Sequence, residues 1–541
     1  MNKKNETTLH EETETKNKKC KYSTYYNSKG KRVRYECPHE AVKDGYCVFH
    51  HPEYWKEFPD EVRNKFFEEV REIYKKGVEL VCIGYNFPEI DLTSEPLLKY
   101  GNINSIYFNF SEFHGDVWVN DGQFNYIDFS NVKFHSYVIF FEVDVDEAVF
   151  ERTEFYDFVQ IHGTFSKLNF NAAKFHSAVF MSGTPGEKKE DINHAIFTKT
   201  KFENYVQFQN LKFNMAKFDF TKFDTVEFLN VEFQKVDFLR AKFTKAIFYS
   251  VNVLEGSFEG AGFESIRVYN SKFIYANFIY ATFEYVAEFR EVVFYFANFS
   301  RTIFKNIAVF HAKKIEKNSI ILFSQSAFLN PETISFIDFP LTNISFLLTD
   351  VSRIKLFCNA HEIKDSKILS EKLLKAVQNN IIDLDNKYIE EAVKILSSYL
   401  RSESVLAEYR SIRKSFENSR TFVEASEFFI KEMRMMKQNL SIPEKIAHCV
   451  YDGMSRYGES FVRPFLWLLF VISVISFIVL YPPVPPLQKY MSVWFETVRL
   501  ILQLPVNSDI GYGNWSILAR IASIVFLGNI FIAVRRRLER K

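Results

Sequence analysis

The sequence predicts a mixed chain built around a square-coiled parallel β-solenoid, with a small Cys/His module before it, a helical linker after it and a two-helix membrane hairpin at the C-terminal end. Three observations carry this reading. Phe recurs every fifth residue through the middle of the chain. Three cysteines and a histidine gather near the N-terminus. Two long apolar runs lie near the C-terminus.

From position 208 to 283 in steps of five there are sixteen positions, and fourteen are Phe. The run opens Phe208, Phe213, Phe218, Phe223, Phe228, Phe233, Phe238, Phe243, Phe248, and only Val253 and Val268 break it. Helices repeat near 3.6 residues and strands at 2, so a period of five means a backbone that turns a corner about every five residues and points the same side chain inward on each face. Ahead of Phe218 through Phe248 the residue two before each Phe is small or β-branched, as in Ala216, Thr221, Val226 and Ala241. Four such faces make a coil of about twenty residues, and coils stack like parallel strands about 4.8 Å apart. A stack of this kind buries its core only against neighbouring coils and needs caps at its ends. The pattern begins by Phe124, slips by one residue before Phe289, and resumes at Phe336 after an interruption at about 313–332; a second interruption lies at 181–195. About eleven coils result, a rod of about 50 Å at that spacing.

Ala216-Lys217-Phe218, Ala241-Lys242-Phe243, Ala276-Asn277-Phe278 and Ala297-Asn298-Phe299 carry a pattern that resembles the pentapeptide-repeat family. The resemblance covers about half the chain and implies a right-handed quadrilateral β-helix. It implies little about function, because fold and function separate easily. Some members mimic DNA with an acidic rod. Here 68 Lys plus Arg face 67 Asp plus Glu, which argues against that role and against nucleic acid as a partner.

The boundaries that follow are a polar, disordered tail over 1–19, a Cys/His module with a capping helix over 20–86, the solenoid over 87–358, a helical linker or cap over 359–460 and the membrane domain over 461–541. No signal peptide opens the chain. Six Cys in 541 residues do not make a disulfide framework, and Cys82, Cys358 and Cys449 read as ordinary thiols.

Cys20, Cys37, Cys47 and His50 are spaced C-x16-C-x9-C-x2-H. Three thiolates and one imidazole suit a closed tetrahedral zinc site, and zinc would explain how so small and polar a segment folds. His39 and His51 are rival ligands. A helix is expected over Asp60–Lys76, with Val62, Phe66, Val70 and Tyr74 on one face. Two more are expected over Ser404–Glu417 and Thr421–Lys437, paired across a short connection.

Pro464–Tyr481 and Ile517–Val534 are each long enough to span a bilayer, the first at about 27 Å. Arg456 and Arg463 precede the first and Arg535, Arg536 and Arg537 follow the second, so the positive-inside rule places both outer ends, and with them the solenoid, in the cytoplasm of a multi-pass cell-membrane protein. Between the spans, Tyr490–Leu504 reads as a helix ended by Pro505. Span, short helix, span, with Trp494-Phe495-Glu496-Thr497, resembles the pore domain of two-span potassium channels, and the Arg-rich end looks like their second helix. The resemblance implies a tetrameric pore. The place of a selectivity filter after Thr497 holds Val498 to Leu504 with no glycine, including Arg499, which would repel cations if it faced a pore. Gly511-Tyr512-Gly513 comes later, close to the second span, and reads as a filter or as a surface turn. Asn529 inside the second span would contact another helix or line a pore.

No catalytic constellation is present, so a non-enzyme is expected. The scattered histidines His114, His135, His162 and His176 read as surface. Three functions remain open: a channel-like membrane protein with a non-standard filter, a non-conducting, membrane-anchored scaffold whose solenoid docks partner proteins, or, against the charge balance, a membrane-tethered nucleic-acid binder acting through the Cys/His module. Membrane lipid and further copies of the chain are the expected partners in every case.

Overall fold

The computed structural model describes residues 19–183, 189–312, 319–357, 367–378, 387–480, 486–506 and 512–539. The chain divides into two compact units, residues 1–330 and 331–541.

The expected fold is present: a parallel β-solenoid of about 11 turns, with helices following it. In the regular stretch each strand pairs with the one a coil later at a constant offset, Phe223 with Phe243 and Phe243 with Phe263. The nine ladder residues Phe208 to Phe248 are all within 2% of full burial. Identical side chains one coil apart stack face to face, Phe218 on Phe238 at 4.9 Å and Phe238 on Phe258 at 5.0 Å. Neighbours within a coil meet edge to face, Phe228 with Phe238 at 5.9 Å. Both arrangements suit the ring quadrupole.

The corners are not equivalent, as a plain five-residue period suggests. Positive φ recurs every ten residues, at Asn210, Phe220, Asn230, Arg240, Ser250, Gly260, Asn270 and Tyr280. Half of the corners are therefore sharp left-handed turns, and the strand runs unbroken through the others, as in Lys222–Leu229. The residue after every second sharp turn is small and buried. At Thr153, Thr200 and Thr221 its hydroxyl donates to the carbonyl of a Phe in the coil below, Thr221 to Phe197 at 2.6 Å.

The first unit opens with an antiparallel hairpin, β1 (Ser23–Ser28) and β2 (Lys31–Glu36), followed by helix α1 (Pro59–Lys76). Pro59 at its start and Gly77 at φ 63° after its end bound α1 as the sequence requires. Val62, Phe66 and Val70 are buried, but Tyr74 is exposed, because the face turns off the core in the last turn.

The second unit holds α2 (Leu369–Gln378), α3 (Lys387–Leu396), α4 (Ser402–Asn418), α5 (Phe422–Met436), α6 (Ile442–Ser455), α7 (Val462–Leu480), α8 (Leu487–Ile501) and α9 (Trp515–Glu539). The α4–α5 pair packs through Tyr409, Phe416 and Phe428, as the periodicity predicts. Nothing in the residue pattern marks Glu408 of α4, whose carboxyl is buried and accepts a hydrogen bond from the Phe346 amide at 2.6 Å. Burial pushes this carboxyl up to about 7, against the opposing pull of Ser370 and the Phe346 N–H. The folded chain then holds a proton that the unfolded chain has released between about pH 4.5 and 7, so stability falls as pH rises through that window, by about 3 kcal/mol once complete. Glu408→Gln should therefore raise the unfolding midpoint at about pH 8.5 and lose that advantage near about pH 5. A constant difference across pH in thermal scans would refute the buried-proton account.

Candidate metal centre and membrane hairpin

Cys20 lies shortly before β1 and Cys37 just after β2, and the register Ser23↔Glu36, carried on by the Cys37–Tyr22 and Cys20–His39 backbone bonds, sets them two residues apart across the hairpin. The hairpin is closed by Lys29 and Gly30, both at positive φ, the type I′ geometry that matches strand twist. The long gap between the first two cysteines is thus one hairpin. Cys47 and His50 share a single turn, with the His50 and His51 amides both donating to the Cys47 carbonyl at 3.2 and 3.0 Å.

All four side chains are buried, and their ligand atoms lie within 4.8 Å of one another. Cys37 and Cys47 sulfurs are 3.8 Å apart. His50 Nδ1 is 3.1 Å from the Cys47 sulfur and 3.6 Å from that of Cys20. His50 Nε2 donates to the Ile83 carbonyl at 2.9 Å, which leaves the Nδ1 lone pair turned toward the sulfurs, the arrangement that metal-binding histidines use. The Cys37 thiol and the His50 imidazole draw the Cys47 thiol down to about 3. The same pairing pushes Cys37 far up, and burial pushes Cys20 up. The quartet can hold a metal ion.

The rival histidines are engaged elsewhere. His39 Nε2 meets the Tyr85 hydroxyl at 2.7 Å, and His51 Nε2 meets Asp44 at 3.4 Å. Burial lowers the affinity of His39 for its proton, but the Glu69 carboxylate reverses this and leaves it raised.

The module is fastened to the first coil at several points. Besides the His50–Ile83 bond, the Asn86 amide donates to the Phe49 carbonyl at 2.8 Å. Tyr22 stacks on His50 at 4.0 Å and lies across Gly84, where a Cβ would stand 2.1 Å from the Tyr22 hydroxyl oxygen; with φ at +75°, only glycine serves there.

A second group, Glu112, His114 and His135, also lies close enough to hold an ion. It belongs to a column of rings on the outer face of the solenoid. Trp55 stacks on His114 at 4.1 Å, His114 on His135 at 4.9 Å, His135 on Tyr156 at 5.1 Å and Tyr156 on His176 at 4.9 Å. Its members are already committed: Glu112 accepts from Lys133 at 2.9 Å and faces His135 at 3.1 Å, and His114 meets Asn86 at 3.1 Å. Burial draws His114 down to about 4, with His135 adding to the effect. The expected surface placement holds for His114, His135 and His176, but they are aligned across coils and not scattered. Each of His114, His135, Tyr156 and His176 directly follows a core Phe, one coil apart, and that spacing is the signal that was available. His162 is buried, facing Glu190 at 3.1 Å.

In the C-terminal hairpin, α7 and residues Trp515–Arg536 of α9 are long and apolar enough to cross a membrane. They pack with α8 around Leu468, Ile472, Ile475, Leu500, Ile501, Ala519 and Phe526. A polar seam runs through the packing. The Ser476 hydroxyl donates to Thr497 at 3.0 Å, Thr497 and Tyr512 hydroxyls lie 3.2 Å apart, and Trp494 Nε1 donates to Ser473 at 3.2 Å. Helix α8 stops at Ile501, ahead of Pro505, with Gln503 at φ 56°. Arg499 is on the exposed face and pairs with Glu496 at 3.0 Å. Gly513 is exposed at φ 47°, and Gly511 lies outside the described residues. Asn529 turns back on its own helix, donating to the Val525 carbonyl at 2.7 Å. Arg536 joins the ends of the hairpin by pairing with Glu459 at 2.9 Å.

No family model matches the chain, and no solved structure does. It is 33% identical over 249 residues, 42% of its length, to the uncharacterized protein MJ1147 of Methanocaldococcus jannaschii. It covers 52% of that protein, so the chain spans about half the length of the curated relative it matches. The solenoid is consistent with a pentapeptide-repeat protein, and the apolar helices that follow fit a membrane-associated repeat protein.

Proposed function

We propose that this protein is a non-enzymatic scaffold, held in the cell membrane as a homo-oligomer by its two-helix hairpin and offering its solenoid to protein partners in the cytoplasm. The observation that carries the reading is the belt of large apolar side chains left exposed among the described residues: Phe465, Leu466 and Phe470 on α7, and Ile517, Ile521 and Ile524 on α9. Lipid or another copy would cover such a belt. Arg463 and Arg535 at the outer helix ends favour a cytoplasmic solenoid. Balanced charge favours protein over nucleic acid as the docked partner.

Zinc is the ion assigned to the Cys/His quartet. A zinc–sulfur bond of about 2.3 Å and a zinc–nitrogen bond of about 2.0 Å give tetrahedral edges of about 3.8 Å between sulfurs and about 3.5 Å from sulfur to nitrogen. The distances of 3.8 and 3.6 Å match these, and 3.1 Å for Cys47–His50 is shorter. With four protein ligands the ion would be structural.

A second reading, ion conduction, is favoured by one contact. Tyr512, from the Gly-Tyr-Gly stretch, reaches the Thr497 hydroxyl of α8, which ties the loop to the short helix as a filter would be tied. Single-channel recording of the full-length protein in planar bilayers separates the two readings. Insertion must first be shown by resistance to alkaline extraction, and protein-free bilayers set the background. Silence across voltages and salts supports the scaffold. Discrete openings would replace it with the channel, and their reversal potential would report the selectivity.

A further inference from the structure

We propose that α6 lies in the boundary between lipid headgroups and acyl chains, as a third membrane contact beside the two apolar helices. The inference rests on the hairpin being embedded in the bilayer.

The helix is amphipathic in an unusual place. Ile442, Ile446, Cys449, Val450 and Gly453 fall within an arc of about 100° at 100° per residue. All five are exposed, with Ile442 at 75%, Ile446 at 60% and Val450 at 53%. The opposite face is held by protein. Asp452 pairs with Arg434 at 2.9 Å, Tyr451 meets Tyr457 edge to face at 5.6 Å, and His448 meets the same Tyr457 ring at 5.7 Å. So the half-buried side is the one that carries His448, Tyr451 and Asp452, while the apolar face is bare, the reverse of a helix folded onto a core. The start is fixed by a reciprocal capping box between Ser441 and Glu444, which supports the first turn of the helix.

What covers the stripe is set by its neighbour in the chain. Only residues 456–461 separate α6 from α7, whose first turns expose Phe465, Leu466 and Trp467. The Arg463 guanidinium, at the start of α7, donates back to the Asp452 carbonyl at 3.3 Å. The stripe is thereby held next to the end of a lipid-facing helix, at the level where Arg and Trp side chains mark the interface. A bare apolar arc on a short helix at that level has the form of an interfacial helix, sunk by its apolar face among the headgroups.

Cys449 supplies the test, because it sits in the middle of the stripe. Full-length protein in a Cys358→Ser background is labelled at Cys449 with a small fluorophore and placed in phosphatidylcholine vesicles carrying a spin label at the headgroup end or deep in the acyl chain. The same label at Phe470→Cys, in a Cys449→Ser background, reports α7. The expected result is that Cys449 loses most of its emission to the shallow label and little to the deep one, while Phe470→Cys is quenched by the deep label. Ile446→Asp with Val450→Asp should abolish quenching at Cys449 and leave that at Phe470→Cys intact. Cys449 open to aqueous iodide and untouched by either lipid label, with Phe470→Cys still quenched, would overturn the inference alone. Cys449 shielded from iodide and lipid but cross-linking between copies would overturn it in favour of a contact between copies. No quenching at either position would overturn the membrane reading and the inference with it.

Discussion

Cys47→Ala should abolish stoichiometric zinc binding by the full-length protein and free the N-terminal module from the first coil. Elemental analysis is expected to find one zinc per wild-type chain and none in the variant. Structural zinc contributes on the order of 10 kcal/mol to small modules of this kind, more than so few apolar residues provide. Hydrogen exchange should then rise across the hairpin and the turn at Cys47–His50. It should also rise at Ile83–Asn86, because the His50–Ile83 and Phe49–Asn86 bonds go with the module. Coils around Phe208–Phe248 should stay protected, since each coil contacts only its neighbours. Wild-type protein that holds no zinc, or a variant whose exchange matches wild type, would remove the metal from the account.

The largest single-residue loss is expected in the middle of the ladder. Phe238 stacks between Phe218 and Phe258 and meets Phe228, Phe233, Phe243 and Phe248 edge to face. Phe238→Ala removes the shared member of six ring contacts, at a cost of about 3–5 kcal/mol, and Phe238→Leu less. Phe220, exposed at a sharp corner, gives the contrast: Phe220→Ala should change stability by less than about 0.5 kcal/mol. Urea unfolding together with exchange protection of the adjoining coils measures both. Equal effects at the two positions would mean that stacking along the ladder does not hold the coil.

Much of this architecture was legible because one side chain type repeats. The solenoid, its coil length and its Phe core follow from period five alone. The metal quartet was legible as residue types, but its geometry was not, since nothing in a linear spacing shows that sixteen intervening residues fold into a hairpin; the Lys29-Gly30 turn was the missed sign. The role of Ile83 was invisible for a different reason: it acts through its backbone carbonyl, which every residue has. Glu408 was hidden because a helical pattern assigns Glu to solvent by default, and only tertiary packing buries it. The ring column eluded a search along the chain because its members touch across coils, about twenty residues apart.

The unequal coil lengths have a consequence for how such a chain can change. Most coils advance by a constant step, yet Lys174 pairs with Lys201 and Ile303 with Ala327, so extra residues enter between them without disturbing the pairing of Phe175 with Phe202 or Phe304 with Phe328. The register of the flanking pairs is kept on both sides of the surplus. Insertion is therefore tolerated between paired segments and costly within them. A lineage can vary what the solenoid presents to others, loop by loop, under a core that cannot drift, and variation among relatives should concentrate between the paired segments.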